Sequence, residues 1–478
     1  MTTTVGGRLS GAWRSTAVAA TAAFLVLAAL PHATSAQVAG RECVLQYETT
    51  SGNTRTNAQK TAGGQYNFFQ GGGVTYHCEG QNNTLIADSA EYYGDRKVLY
   101  LIGDVHYTEP RAKVDSDRMT YFQLEDRIRA EGSVNVRTQT GTTIRGPVID
   151  YYRVTPVRPL ARTVATGRPH MSIVQRSNSA EPAEPVNVVA NSLVAEGDNI
   201  VYASGNVEVT RPDLIAKSDS AFLDGQREFA RLMKTPSVES RKGQPFTLTG
   251  GVIDLFSRNK LLERVVSTPT GHVLSHDLEL LADSVDLRMS DNQLQRVMAW
   301  GRKSRAQAIS PDRQVIADSI DAQMPRQRLR EVRAIGNAYA NSTPDTSRII
   351  STERDWMRGD QVIAEFDSVA AGDTTTRPQA RRIVATGDAS SFHQLAGSTP
   401  GRGLPNLNYV RGRIITVAFA DRAVSTVNVT DQASGVYLEP STTAGTQVAP
   451  GSRQSTPTPN RVTPPSPPAA AAPKRRSP

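Results

Sequence analysis

The sequence predicts an all-β chain: an elongated repeat array of antiparallel hairpin units. Three observations carry this. A six-residue opener, clearest as Ala-Asp-Ser at 87–89, 282–284 and 317–319, recurs ten times between residues 87 and 417. A second element, β-branched residue, any residue, Ala, any residue, Gly, recurs at 128–132, 201–205, 297–301, 332–336 and 383–387. After residue 36 no segment sustains the three-to-four spacing of an amphipathic helix.

The openers begin at residues 87, 116, 146, 190, 218, 250, 282, 317, 359 and 412. Their first position is always Ala, Ser or Gly. Their fourth is always apolar: Ala90, Met119, Ile149, Leu193, Ala221, Ile253, Val285, Ile320, Val362 and Ile415. Their sixth is apolar or Tyr: Tyr92, Tyr121, Tyr151, Ala195, Leu223, Leu255, Leu287, Ala322, Ala364 and Val417. Side chains alternate along a strand, so positions four and six share one face. Each opener is therefore a half-buried strand. The second element alternates in the same way, and its glycine permits a bend or bulge. Turn formers such as Gly94-Asp95 and Asp224-Gly225 sit between the two.

Six openers carry Asp at position two, and Pro147, Asn191, Gly251 and Arg413 replace it elsewhere. A catalytic acid is not scattered along an array and exchanged for proline. Asp, Asn and Gly suit strand ends and turns, where a short side chain satisfies backbone donors. The aspartate is read as an architectural part.

The chain is expected to divide into a leader, a short N-terminal segment, the array and a tail. Residues 1–36 have the layout of a secretory signal peptide: Arg8 and Arg14, an apolar run over 15–30, then small residues to Ala36. The run is shorter than the ~20 residues a spanning helix needs. Residues 37–80 hold both cysteines, Cys43 and Cys78, which in an exported chain are read as a disulfide rather than two free thiols. The array covers 81–440, with two sub-arrays at 81–175 and 186–440 about a polar insertion. Residues 441–478 are rich in Pro, Ser, Thr and Ala, too poor in apolar area to offset ordering entropy, and are read as a disordered tail.

The formal charge of +8 arises at the ends. The leader has two arginines and the tail five basic residues, neither has an acid, and the body is within one charge of neutral. A nucleic-acid binder would need a basic face there. Chemistry is equally scarce. His272 and His276 fall on one strand face but about 13 Å apart, too far to share a metal. There is no Gly-rich phosphate loop, no Gly-x-Ser-x-Gly and no paired Cys-x-x-Cys. The chain is read as a non-enzyme without metal or cofactor.

The combined pattern resembles the organic-solvent-tolerance-like (OstA-like) domain of the lipopolysaccharide transport proteins. The stretches that carry the resemblance are LIADSAEYYGDRKVLYLIGDV at 85–105, VDSDRMTYFQLEDRIRAEGSV at 114–134 and VIADSIDAQMPRQRLREVRAIGNA at 315–338. The resemblance implies an open V-shaped β-jelly roll in the periplasm. Its apolar groove would hold the acyl chains of lipopolysaccharide or a similar amphiphile, and the groove residues would be those of positions four and six. It also implies partners: related jelly-roll domains of inner- or outer-membrane transport proteins, joined by edge-strand pairing, or further copies end to end. Two other readings of the residues stand beside it. One is a structural array scaffolding envelope partners through its edge strands. The other is a polysaccharide-binding or -cleaving β-helix.

Overall fold

A computed structural model describes residues 43–48, 54–174, 185–241, 245–276, 278–291, 293–367, 378–397, 401–420 and 423–440. The expected leader and tail lie outside the described residues. Among the described residues, thirty-two strands and one short 3-10 turn, Pro325–Gln327, make up the regular structure. The ladders between them are antiparallel, and a parallel bridge joins Ile349 and Gly403. A β-helix of stacked parallel coils is therefore not the architecture; hairpin units are.

The chain divides into two compact units. The first comprises the described residues up to His276 together with Ser284–Gln295, and the second Asp277–Asp283 and Arg296 onward. The polar insertion after residue 174 does not interrupt the first unit: His170–Ile173 pairs directly with Val186–Val189 across it.

Within a unit one scheme recurs. A long strand is interrupted near its middle by a bulge and its two halves belong to different ladders, or two short consecutive strands, such as Arg162–Thr166 and His170–Ile173, take the places of the halves. Val98–Thr108 shows the bulged form. Its first half pairs at Ile102 with Arg118, its second half resumes at Val105 with Ser116, and Gly103 and Asp104 form the bulge between. Ladder A collects the halves that carry opener positions four and six. Ladder B collects the other halves.

The bulge is where the recurring aspartate sits. Gly132 has φ +102°, and a Cβ placed on it would fall on the carboxylate of Asp117. Gly387 has φ +77° and stands in the same relation to Asp360. Only glycine combines that backbone with so close an approach. The carboxylate then accepts backbone donors; Ser133 N–H donates to Asp117 Oδ2 at 3.1 Å. Asp283 shows the arrangement most fully. It accepts the backbone N–H of Arg302 at 2.6 Å and the hydroxyl of Ser304 at 2.6 Å. With the amide of Lys303, these bonds hold its carboxyl well below the usual range.

The core of the first unit follows from register. Opener position four and the alanine of the second element are cross-strand partners. Ala90, Leu101, Met119, Ala130, Ile149 and Ala165 form one unbroken row on ladder A. Leu193, Ala203, Ala221, Leu232, Ile253 and Val285 continue it, with Ser267 between the last two. The matching row on ladder B runs Leu85, Tyr107, Val114, Val136, Ile144 and on to Leu248 and Val273. Both rows are buried throughout. Cys43 and Cys78 are disulfide-bonded with Cα atoms 4.9 Å apart, fixing the N-terminal strand Leu45–Glu48 beside Tyr66–Cys78.

Candidate functional site: an apolar slot in the second unit

Position-four residues lie in the row nearest the bulges, position-six residues one step farther out. In the first unit both steps are filled. Tyr121 is 1 % exposed, and Leu99 and Ile128 are fully buried. Tyr151 is buried as well, while Tyr92 and Leu223 are half-buried. Tyr107 of ladder B meets Tyr151 of ladder A with ring centroids 6.4 Å apart. Large aromatics, two of them position-six tyrosines, thus occupy the space between the ladders here.

Polar bridges then close the first unit. Arg153 is almost buried, and it donates to Gln81 Oε1 at 2.6 Å and pairs with Asp126 at 3.3 Å and Glu109 at 3.4 Å. The hydroxyls of Tyr107 and Tyr151 both donate to Glu109, and that of Tyr121 to Asp126. Burial raises the pKa of all three tyrosines, so they remain phenols and serve as donors. Farther along, Arg211 is held by Asp213 on ladder B and donates to Ser257 and to the Lys260 carbonyl at the end of ladder A. A void lined by Leu214, Val238, Phe246, Leu262, Val265 and Met289 measures about 10 Å³, roughly one water.

In the second unit the same rows carry smaller residues. Nearest the bulges, Ala299, Ile320, Ala334, Val362, Ala385 and Ile415 on ladder A are buried, as are Ala306, Ala317, Ala338 and Ala389 on ladder B. One step out the interior opens. Ala322, Val332, Ala364 and Ile383 follow in register on ladder A, and all four are half-buried. Ala308, Val315 and Ala340 follow in register on ladder B, also half-buried. Four neighbouring strands at ~4.8 Å spacing give the slot a length of about 14 Å. It is covered again where Met357, Ser391 and Val417 are buried. A third row on ladder B is polar: Ser310, Arg313, Ser342 and Asp355 in register, with His393 opposite Asn408 beyond.

No family model matches the sequence, and no curated protein matches it.

Of the residues singled out by sequence, Ala322 and Ala364 line the slot. Ile320, Val362 and Ile415 form its floor, and Val417 stands at its covered end. The positions in the first unit are core, except Tyr92 and Leu223, which are half-buried. Sequence reasoning missed the ladder B wall, Ala308, Val315 and Ala340. Among the described residues, no group of three or more His, Cys, Asp or Glu side chains is placed to hold a metal ion. The slot offers apolar area, a polar rim and no reactive constellation.

Proposed function

We propose that the chain is a carrier of lipopolysaccharide or a similar amphiphile in the periplasm, a non-enzyme that holds acyl chains in the slot of its second unit. One observation supports this above others: one step out from the bulges, Ala322, Val332, Ala364 and Ile383 on ladder A and Ala308, Val315 and Ala340 on ladder B are small or medium-sized and half-buried, whereas the corresponding rows of the first unit are largely filled. Each CH₂ moved from water into such a slot contributes about 0.8 kcal/mol, so acyl chains bind there without a charged ligand. The polar third row keeps a headgroup in water. The family resemblance of the motifs points to the same cargo and to the outer-membrane assembly pathway.

In this reading partners join by strand addition. Among the described residues, Ser434–Leu438 pairs only with Asn406–Ala420, and Val436, Tyr437 and Leu438 are 54 %, 51 % and 55 % exposed. A related jelly-roll domain, or a second copy, fits that edge. The scaffold reading draws its support from the first unit, whose packed interior has no room for cargo.

Native mass spectrometry of the mature chain, purified from a Gram-negative periplasm without detergent, tests the carrier reading. A bound mass of lipid A type, lost in Ile320→Asp at unchanged β content, is the expected result. A bare protein that takes up no added lipopolysaccharide rejects it and leaves the scaffold.

A further inference from the structure

The strand Ala380–Leu395 carries two polar side chains into the interior of the second unit. Ser391 is 0 % exposed and His393 7 %. Their Oγ and Nε2 atoms are buried and have no hydrogen-bond partner among the described residues. Both share the face of Ala389, itself fully buried against the interior. Ser391 is in register with Met357, and through Met357 with Ala340, Val315 and Ala308. It therefore continues the ladder B wall of the slot. His393 lies one step farther out, opposite Asn408.

We propose that Ser391 and His393 form a polar subsite at the covered end of the slot that takes a hydroxyl group borne by an acyl chain. The proposal rests on the carrier reading and adds to it a preference among cargoes. Buried polar atoms in native proteins are partnered, and one left alone bears its full desolvation penalty. The two residues stand about 7 Å apart along the strand. One hydroxyl between them accepts from Ser391 Oγ–H and donates to the lone pair of His393 Nε2, satisfying both atoms at once.

The surrounding charges select against an anion. The carboxylate beside the subsite is Asp355, which accepts the backbone N–H of Gln394 at 2.9 Å. The two arginines of the adjacent strand region are engaged elsewhere: Arg354 donates to Asn341 Oδ1, and Arg358 to Ser390 Oγ. Burial keeps the imidazole neutral at physiological pH. A phosphate would meet a neutral histidine and a carboxylate, whereas a hydroxyl meets a matched donor and acceptor.

The test is displacement of a fluorescent fatty-acid probe from the mature chain by methyl 3-hydroxytetradecanoate and by methyl tetradecanoate, both uncharged. The wild type is expected to bind the hydroxylated ester at least about tenfold more tightly, a difference of about 1.4 kcal/mol. Ser391→Ala/His393→Phe is expected to bind both esters alike, at the wild-type affinity for the plain one. Equal binding of the two esters by wild type overturns the subsite while leaving the slot in place. If neither ester displaces the probe from folded protein, the carrier reading itself fails and the subsite with it. Should the double variant misfold, the imidazole ¹⁵N shift of wild-type His393 decides. A shift moved by the hydroxylated ester alone supports the subsite, and one unmoved by it overturns the subsite.

Discussion

At the scale of single residues, the corner aspartates and glycines form couples rather than independent sites. Gly132 is constrained twice, by its positive φ and by the carboxylate of Asp117 against it. Gly132→Ala is expected to cost about 2 kcal/mol or more, from left-handed backbone strain plus the clash. Asp117→Ala, losing one exposed hydrogen bond, should cost about 1 kcal/mol. In the Asp117→Ala background the alanine at 132 should cost less, because the clash is gone and only the strain remains; urea denaturation of the four proteins gives the coupling. Strictly additive costs would mean the two residues do not share a corner. His393 offers a second residue-scale test. Burial lowers its pKa from 6.5 to about 4. The folded pKa lies below the unfolded one, so its contribution is fully present above pH 6.5, shrinks as pH falls toward 4, and is constant below. That displacement corresponds to about 3 kcal/mol. Asp355, raised by burial, acts in the opposite sense. The expected signature is therefore a difference: wild type minus His393→Leu should lose stability between pH 6.5 and 4, measured by urea midpoints at each pH.

At the scale of elements, size along a row decides between core and slot. Ala195 and Ala364 are the same residue at the same repeat position, six, on ladder A. Ala195 is 7 % exposed in the first unit, and Ala364 is half-buried in the second. Ala195→Phe overpacks a filled interior and should cost about 1–3 kcal/mol. Ala364→Phe enters open space; it should change stability by less than about 1 kcal/mol while cutting acyl-chain binding at least about tenfold. Paired thermal melts and probe titrations measure both, and equal destabilisation at the two positions would remove the distinction between the units. Much of this element was legible in the sequence, because a period of two assigns a face without any knowledge of partners. Position four and the alanine of the second element, Ala90 with Leu101 or Ile320 with Ala334, are one row because antiparallel hairpins put them opposite each other. The small residue at position one is likewise explained, since Ala87, Ala282 and Ala317 sit where the two ladders converge and only a small side chain fits. Ladder B was not legible. The two-residue bulge separates its rows from the opener, so Val105, Tyr107 and Val114 fall outside both recurring patterns, and nothing in the period of two marks them as a facing wall. Without that wall, the fullness of the first unit was hidden.

At the scale of the whole molecule, one repeat has been turned to two ends. Tyr121, Tyr107 and Tyr151 fill the first unit, and Arg153 and Arg211 bridge its ladders. The second unit keeps the backbone scheme, with Gly336 and Gly387 at its corners, and replaces the filling residues by alanine and valine. Packed interiors reach crystal-like density, so a unit with tyrosines on facing rows has no volume left for an acyl chain. This makes the distribution of cargo along the chain a sharp expectation. A photoreactive phenylalanine analogue placed at Val332 or Ile383 should crosslink to lipid in cells. The same residue at Leu223 or Tyr92, half-buried positions of the first unit chosen so that the bulky analogue is tolerated, should not. Crosslinks at all four would mean that the first unit opens to admit cargo and that its arginine bridges act as a latch rather than as fixed walls. Crosslinks at none, in protein that keeps its β-sheet spectrum, would leave the array as scaffold alone.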